Sequence, residues 1–247
     1  MFSLTFNQNL NAKTWHKDVE AYNVEENGRV IGRFYLDMHP RKGKYNHACS
    51  IDIVTGLKDK KLPQNVLVCN FNKPTEKSSG LQDLNEVSTF FHEFGHLIHG
   101  ILAGQEIEWD SLAGTKGQID FIEAPSQLLE EILMDPQVLK MLTKHVMTGE
   151  QITDKFIDSI HIKESIFDKA RLKGLGIARQ AALSKQSLEV FVAPKISNST
   201  LAKIERTAVL NTLKAYGDYY FIYQFEHLIG YYSNYYTYMW SLAIAKD

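Results

Sequence analysis

The pentapeptide His92-Glu93-Phe94-Gly95-His96 constrains this chain more than any other feature. It lies where Val87, Phe90, Phe91, Phe94, Ile98 and Ile101 recur at helical spacing, which predicts an amphipathic helix. A helix advances about 100° per residue, so positions four apart differ by only about 40° around the axis. His92 and His96 can therefore aim both imidazoles at one metal ion. Glu93 is rotated off that line but stays beside the site, where it can hold a water rather than the metal. The pattern suits hydrolysis. Zinc makes a water acidic and polarises a carbonyl, while Glu93 accepts the water's proton and delivers it to a leaving amine. Chance alone produces such a pentapeptide in roughly one chain in a hundred of this length.

A catalytic zinc needs a third protein ligand. The longer pattern with a third histidine is absent, because His99 stands where a glycine is needed and Leu102-Ala103 closes the stretch without a histidine. His99 is read as a packing histidine or as one that supports the ligands. The carboxylate candidates lie in Asp120-Phe121-Ile122-Glu123-Ala124-Pro125-Ser126-Gln127-Leu128-Leu129-Glu130-Glu131. Glu123, Gln127 and Glu130 share one helical face. Pro125 fits the first turn of a helix, where its missing N–H costs little, so Glu123 stands at the helix start. Spacing alone leaves Glu123 open between a ligand and part of a solvated acidic face.

Before the motif, Gly32–Asp37, Ala48–Val54 and Val66–Phe71 read as strands. Arg41-Lys42-Gly43-Lys44 and Lys58-Asp59-Lys60-Lys61 read as solvated connectors, and Ser78-Ser79-Gly80 as a loop. Most of the chain after Gly80 reads as helix, broken near Thr148-Gly149-Glu150 and between Pro194 and Thr200. The expected fold is α+β and predominantly helical, with a small N-terminal sheet in residues 1–77 and a helical region in 78–247. The 247 residues suffice for a real core, and 44% hydrophobic with 23% charged residues excludes disorder for most of the chain. A net charge of −2 makes no electrostatic case for nucleic acid, and no apolar run reaches membrane-helix length. The first residues do not read as a signal peptide. Cys49 and Cys69 are expected to be reduced thiols in a cytoplasmic protein.

Nine of the twelve tyrosines fall between Tyr216 and Tyr238. On a continuous helix Tyr231, Tyr235 and Tyr238 share one face, and Tyr232, Tyr236 and Trp240 the neighbouring one. Packing is expected for Tyr232 and Tyr236. For His227, Tyr231 and Tyr238 the choice between packing and oxyanion stabilisation stays open. Gly230 permits a bend between His227 and the tyrosines.

Four blocks in order then carry a resemblance. They are Gly32–Asp37 with Gly43–Ala48, then Phe91–His96, then Asp120–Gln127, then His227–Trp240. Together they resemble the M3 family of zinc oligopeptidases, whose HExxH helix is of the zincin type. The resemblance implies one zinc per chain, with Glu123 as the third ligand beside His92 and His96. It implies that Glu130 steadies a ligand histidine. It also implies that His227, Tyr231 and Tyr238 contact the substrate or its oxyanion, and that Gly114, Thr115 and Gly117 belong to a flexible loop beside the site. The implied substrates are short unstructured peptides that enter a deep channel, with no nucleic acid and no membrane involved. The single Gly230, where many members have two glycines, bears on subsite preference. Members are much longer, so the chain is expected to be part of a channel enzyme. Its opposite wall is then missing or carried by a separate polypeptide. The alternatives are a remnant that binds metal or peptide without turnover, or half of a split enzyme.

Overall fold

The computed structural model describes residues 3–75, 80–145, 147–167, 173–210, 212 and 220–247, with side chains omitted at 161–167, 173–175 and 210. Ser78 and Ser79 of the expected loop, and Tyr216 and Tyr219, lie outside these residues. The chain divides into two compact units: Met1–Gln118 with Ala124–Leu133, and Ile119–Glu123 with Met134–Asp247. The fold is α+β and predominantly helical, as expected.

The first unit is built on a five-stranded sheet with β1 (Leu4–Gln8), β2 (Val19–Glu26), β3 (Arg29–Asp37), β4 (Cys49–Val54) and β5 (Gln64–Val68) in the spatial order β1-β2-β3-β5-β4. Only the β3–β5 pair is parallel. Sequence reasoning anticipated three strands and missed β1 and β2. A local signal for the hairpin was present in Asn27-Gly28, both at positive φ, which is the dipeptide a two-residue turn of this hand demands. β1 is short and four of its five residues are exposed, although Phe2, Leu4 and Phe6 alternate with Ser3, Thr5 and Asn7 at the period of a strand. β5 lies inside the sheet and buries Asn65, Val66 and Leu67 in succession. β4 is an edge strand, with a register irregularity between Asp52 and Val54.

Helix α1 (Leu84–Ala103) carries the His92–His96 motif and packs on one face of the sheet. Asp83 caps it in a reciprocal box with Glu86, so its start is set locally. Leu97, Ile98 and Ile101 join Val24, Ile31, Phe34, Leu67 and Cys69 in the core. Gly32 is needed there, since a Cβ at that position would come 2.6 Å from Ile101 Cγ2. Helix α2 (Ala124–Leu133) packs on α1 and completes the unit.

The basic connector after β3 does not behave as a solvated loop. Asp37, only 4% exposed, receives two hydrogen bonds from Arg41 at 2.6 and 2.7 Å and one from Trp15 Nε1 at 2.9 Å. Buried Lys44 lies 3.1 Å from the same carboxylate and donates to the carbonyls of Asp37, His39 and Cys69. Burial alone would raise the Asp37 pKa. The hydrogen bonds from Arg41, Trp15 and Lys44 outweigh it and hold the carboxyl well below the usual range. A group depressed in this way stabilises the fold above its unfolded pKa of about 4, and that stability is lost as pH falls through the folded value. Asp37→Asn is therefore expected to lower the unfolding free energy at neutral pH by about 2–4 kcal/mol. It should also flatten the acid limb of the stability curve. Urea denaturation at neutral and acid pH reads both effects, and a variant as stable as wild type at neutral pH would contradict the assignment.

In the second unit, α3 (Pro136–Leu142), α4 (Asp154–Phe167), α5 (Lys173–Val192) and α6 (Asn198–Glu205) are followed by the short α7 (His227–Gly230) and by α8 (Thr237–Lys246). The turn through Thr148–Glu150 separates α3 from α4, as expected. Its core gathers Ala182, Leu183, Ala208, Val209, Phe225 and Tyr235. Buried Thr237 and Ser241 of α8 donate from their hydroxyls to the carbonyls of Ile119 (2.7 Å) and Asp120 (3.1 Å), which ties the Ile119–Glu123 segment to that helix.

Candidate metal centre

The helix period brings His92 and His96 together. Their ring centroids are 5.0 Å apart with planes at 81°. One further turn back, Ser88 shares the same stripe. Glu130, from the middle of α2, spans two of these positions. Its Oε1 lies 2.5 Å from His92 Nδ1, and its Oε2 accepts from Ser88 Oγ at 3.4 Å. A carboxylate there favours the tautomer in which Nδ1 carries the proton and Nε2 keeps its lone pair for a metal.

Gly95 sets how closely α2 approaches. A Cβ at that position would stand 2.5 Å from Ser126 Cα and 2.6 Å from the Pro125 carbonyl oxygen, both backbone atoms. Only a glycine allows this contact, and it falls on α1 between the two motif histidines. Glu123 is the residue immediately before α2. Its position relative to that helix follows from the peptide bond to Ala124, across which Cα atoms sit about 3.8 Å apart. Ligand atoms of His92, His96 and Glu123 all lie within 4.8 Å of one another, and Glu123 is 1% exposed. Two imidazoles and one carboxylate form a donor set suited to zinc, and three protein ligands leave a coordination position open. The residues present therefore fit the metal that the motif implies.

Glu93 lies on the same turn, off the histidine stripe. Its charge is felt at two thiols. Cys69 is pushed up to about 12, first by burial and then by Glu93, and Cys49 is raised for the same two reasons. His99 stands apart from the three-ligand group. Burial lowers its pKa, the charge of His96 lowers it further, and Asp52 opposes both. Its buried Nδ1 has no hydrogen-bond partner among the described residues. In the expected glycine loop, Gly114 is buried at φ +75, and Gly117 is exposed with its N–H donating to the Thr115 carbonyl at 2.9 Å.

The tyrosine segment is not one helix. Backbone direction changes between α7 and α8, and the residue in the left-handed region is Tyr232 (φ 53), not Gly230. Despite the break, His227 keeps ring contacts with Tyr231 (5.6 Å), Tyr235 (5.3 Å) and Tyr238 (5.7 Å). The Tyr231 hydroxyl donates to Glu123 Oε1. Tyr238 is raised far above an ordinary phenol by burial, then by Glu123 and Tyr231, so it stays a neutral donor. The packing expected for Tyr232 and Tyr236 does not hold: they are 56% and 41% exposed. The helix needed to turn them inward is interrupted, and Tyr232 occupies the turn itself.

Two contributors escaped sequence reasoning. Ser88 is one. Gly95 is the other, although a glycine inside a strongly periodic helix costs about 0.5–1 kcal/mol relative to alanine and so asks for a packing reason.

The family model described as peptidase family M3 matches residues 1–247. Over its whole length the chain is 31% identical to saccharolysin of Saccharomyces cerevisiae, covering 36% of that protein. It is 30% identical to oligopeptidase A of Escherichia coli, covering 37% of it. It is 28% identical to dipeptidyl carboxypeptidase of the same organism, again over 36%. The chain thus spans little more than a third of the length of these curated relatives.

Proposed function

We propose, for a chain that belongs to peptidase family M3, that it forms the catalytic part of a zinc-dependent oligopeptidase acting on short, unstructured peptides. The observation that carries this reading is the compact set of His92, His96 and Glu123, with Glu93 on the same helical turn. One zinc bound by these ligands would act as a Lewis acid on the scissile carbonyl and make a water acidic at neutral pH. Glu93 takes the proton of the attacking water and later delivers it to the leaving nitrogen. Tyr238, with Tyr231 or His227, donates to the oxygen on which negative charge develops. The neutral phenol of Tyr238 suits that task. The loop of Gly114, Thr115 and Gly117 borders the bound peptide. Residues 1–77 supply the sheet region of this catalytic part, and 78–247 the helical region with the site.

Among the described residues no helix is long and apolar enough to cross a membrane, and Cys49 and Cys69 are free. Free thiols go with a reducing compartment, and we assign the protein to the cytoplasm. A channel wall borne by further chain segments or a separate polypeptide would set length preference.

The direct test uses a quenched fluorescent peptide and metal analysis on the same purified sample. Turnover with about one zinc per chain supports the proposal. Zinc without turnover would favour the binding remnant or split-enzyme reading, and adding back the missing part of a relative would separate those two. Glu130→Ala is expected to weaken zinc binding by about 10–100-fold, because His92 loses the partner that orients it. Glu130→Gln, which still offers an acceptor oxygen to Nδ1–H, should fall between. Competition with a calibrated chelator reads the affinities, and equal affinity in all three proteins would remove Glu130 from the site.

A further inference from the structure

Asp52 sits at the bulge on edge strand β4, with its carboxylate in a recess that two glycines keep open. A Cβ on Gly100 of α1 would come 2.6 Å from Asp52 Oδ1, and a Cβ on Gly114 would come 2.5 Å from Oδ2. Gly114 also holds φ +75, which side-chain-bearing residues adopt with strain. Into this recess come three donors. Thr115 N–H (3.1 Å) and Thr115 Oγ1 (3.2 Å) reach Oδ2, and Asn65 Nδ2 (2.9 Å) reaches Oδ1. Ser50 Oγ in turn donates to Asn65 Oδ1 at 2.8 Å and fixes that amide. Residues 65 and 115 belong to a buried strand and to a loop far along the chain. Asp52 is the group that joins them. Immediately beyond Thr115 the loop is exposed at Lys116, Gly117 and Gln118.

We propose that Asp52 is a positioning residue that ties the Gly114–Thr115 loop to the edge of the sheet, and that this tie holds the loop in the conformation that engages peptide. The second half rests on the peptidase reading above; the first does not. A carboxylate is suited to the task because it is acceptor-only and serves donors from both sides at once. An alanine leaves the Thr115 N–H and the Asn65 amide without their acceptor. An asparagine can keep its oxygen on Thr115 if Asn65 turns its amide over, so it retains most of the tie.

The test uses the full 247-residue chain. Trypsin cleavage after Lys116 is followed by mass spectrometry under conditions where cleavage tracks the open population of the loop. Asp52→Ala is expected to speed that cut about tenfold, Thr115→Val by a smaller factor, and Asp52→Asn about twofold at most. In peptide hydrolysis, Asp52→Ala should raise KM about 5–10-fold with kcat within about twofold, and Asp52→Asn should restore KM. A cut at Lys116 no faster in Asp52→Ala than in wild type, with the fold intact by circular dichroism, would overturn the tie. So would a Thr115→Val effect undiminished in the Asp52→Ala background. A faster cut with KM unchanged would overturn the positioning role. If Asp52→Ala does not fold, Thr115→Val decides the tie, and a cut at Lys116 no faster in that variant than in wild type overturns it. A wild-type chain that neither binds nor cleaves peptide would sink the peptidase reading, while the trypsin data would still decide the tie.

Discussion

Glu93→Gln should leave peptide turnover at least about 10³-fold below wild type while zinc content stays near one per chain. The substitution keeps shape and volume but removes the group that accepts the water's proton. It touches none of His92, His96 and Glu123, which form the metal-ligand group. The two readouts therefore separate, and a variant that lost zinc along with activity would show Glu93 to be a ligand or a support for one. A third readout checks its position. The Glu93 charge raises the pKa of Cys49, so its removal should lower that pKa and quicken alkylation of the half-buried thiol. Turnover within about tenfold of wild type would refute the general-base assignment.

Gly95→Ala is expected to damage the fold and the metal centre together. Helix propensity alone would favour alanine by about 0.8–1 kcal/mol. The added Cβ, however, would meet the backbone of Pro125 and Ser126 at 2.5–2.6 Å, and backbone cannot rotate aside as a flexible side chain can. α2 must move away from α1, and it carries both Glu130 and, by the next peptide bond, Glu123. We expect a net loss of about 1–3 kcal/mol of stability, as for overpacked cores. Zinc affinity should drop at least tenfold, as when a ligand's support is lost. Thermal unfolding with and without zinc measures both. Gly117→Ala, where an added Cβ meets nothing within 4 Å, is the matched control. If Gly95→Ala holds zinc as tightly as wild type, the close approach of α2 is not what assembles the ligand set.

Some of the fold was legible because its signals are local. α1 announces itself through apolar period and a capping box formed by residues three apart. Within β3 the stretch Phe34-Tyr35-Leu36, and within β5 the stretch Val66-Leu67-Val68, stand out as apolar runs. β2 carried an Asn-Gly turn signal that composition-led reading passed over, and β1 is largely exposed. Arg41 and Lys44 read as solvated because charge runs usually are. Their role depends on Asp37 at the end of β3, a strand whose burial only the assembled sheet creates. The same holds for the tyrosines. Spacing grouped Tyr231, Tyr235 and Tyr238, and their rings do converge, but through a broken helix in which Tyr232 takes the turn.

The sequence by itself determined the pair of imidazoles and the carboxylate beside them. Residues within one turn of a helix stay neighbours whatever the rest of the chain does, because the helix period is a local property. It could not determine which of several carboxylates would meet that pair. Glu130 is 38 residues from His92 and reaches it only because Gly95 lets two helix backbones touch. Asp52 and Thr115 are 63 residues apart and meet because two glycines leave room for a carboxylate. Such contacts depend on distances in space that no local periodicity encodes, so the ligand's supports and the loop's anchor belong to the tertiary structure.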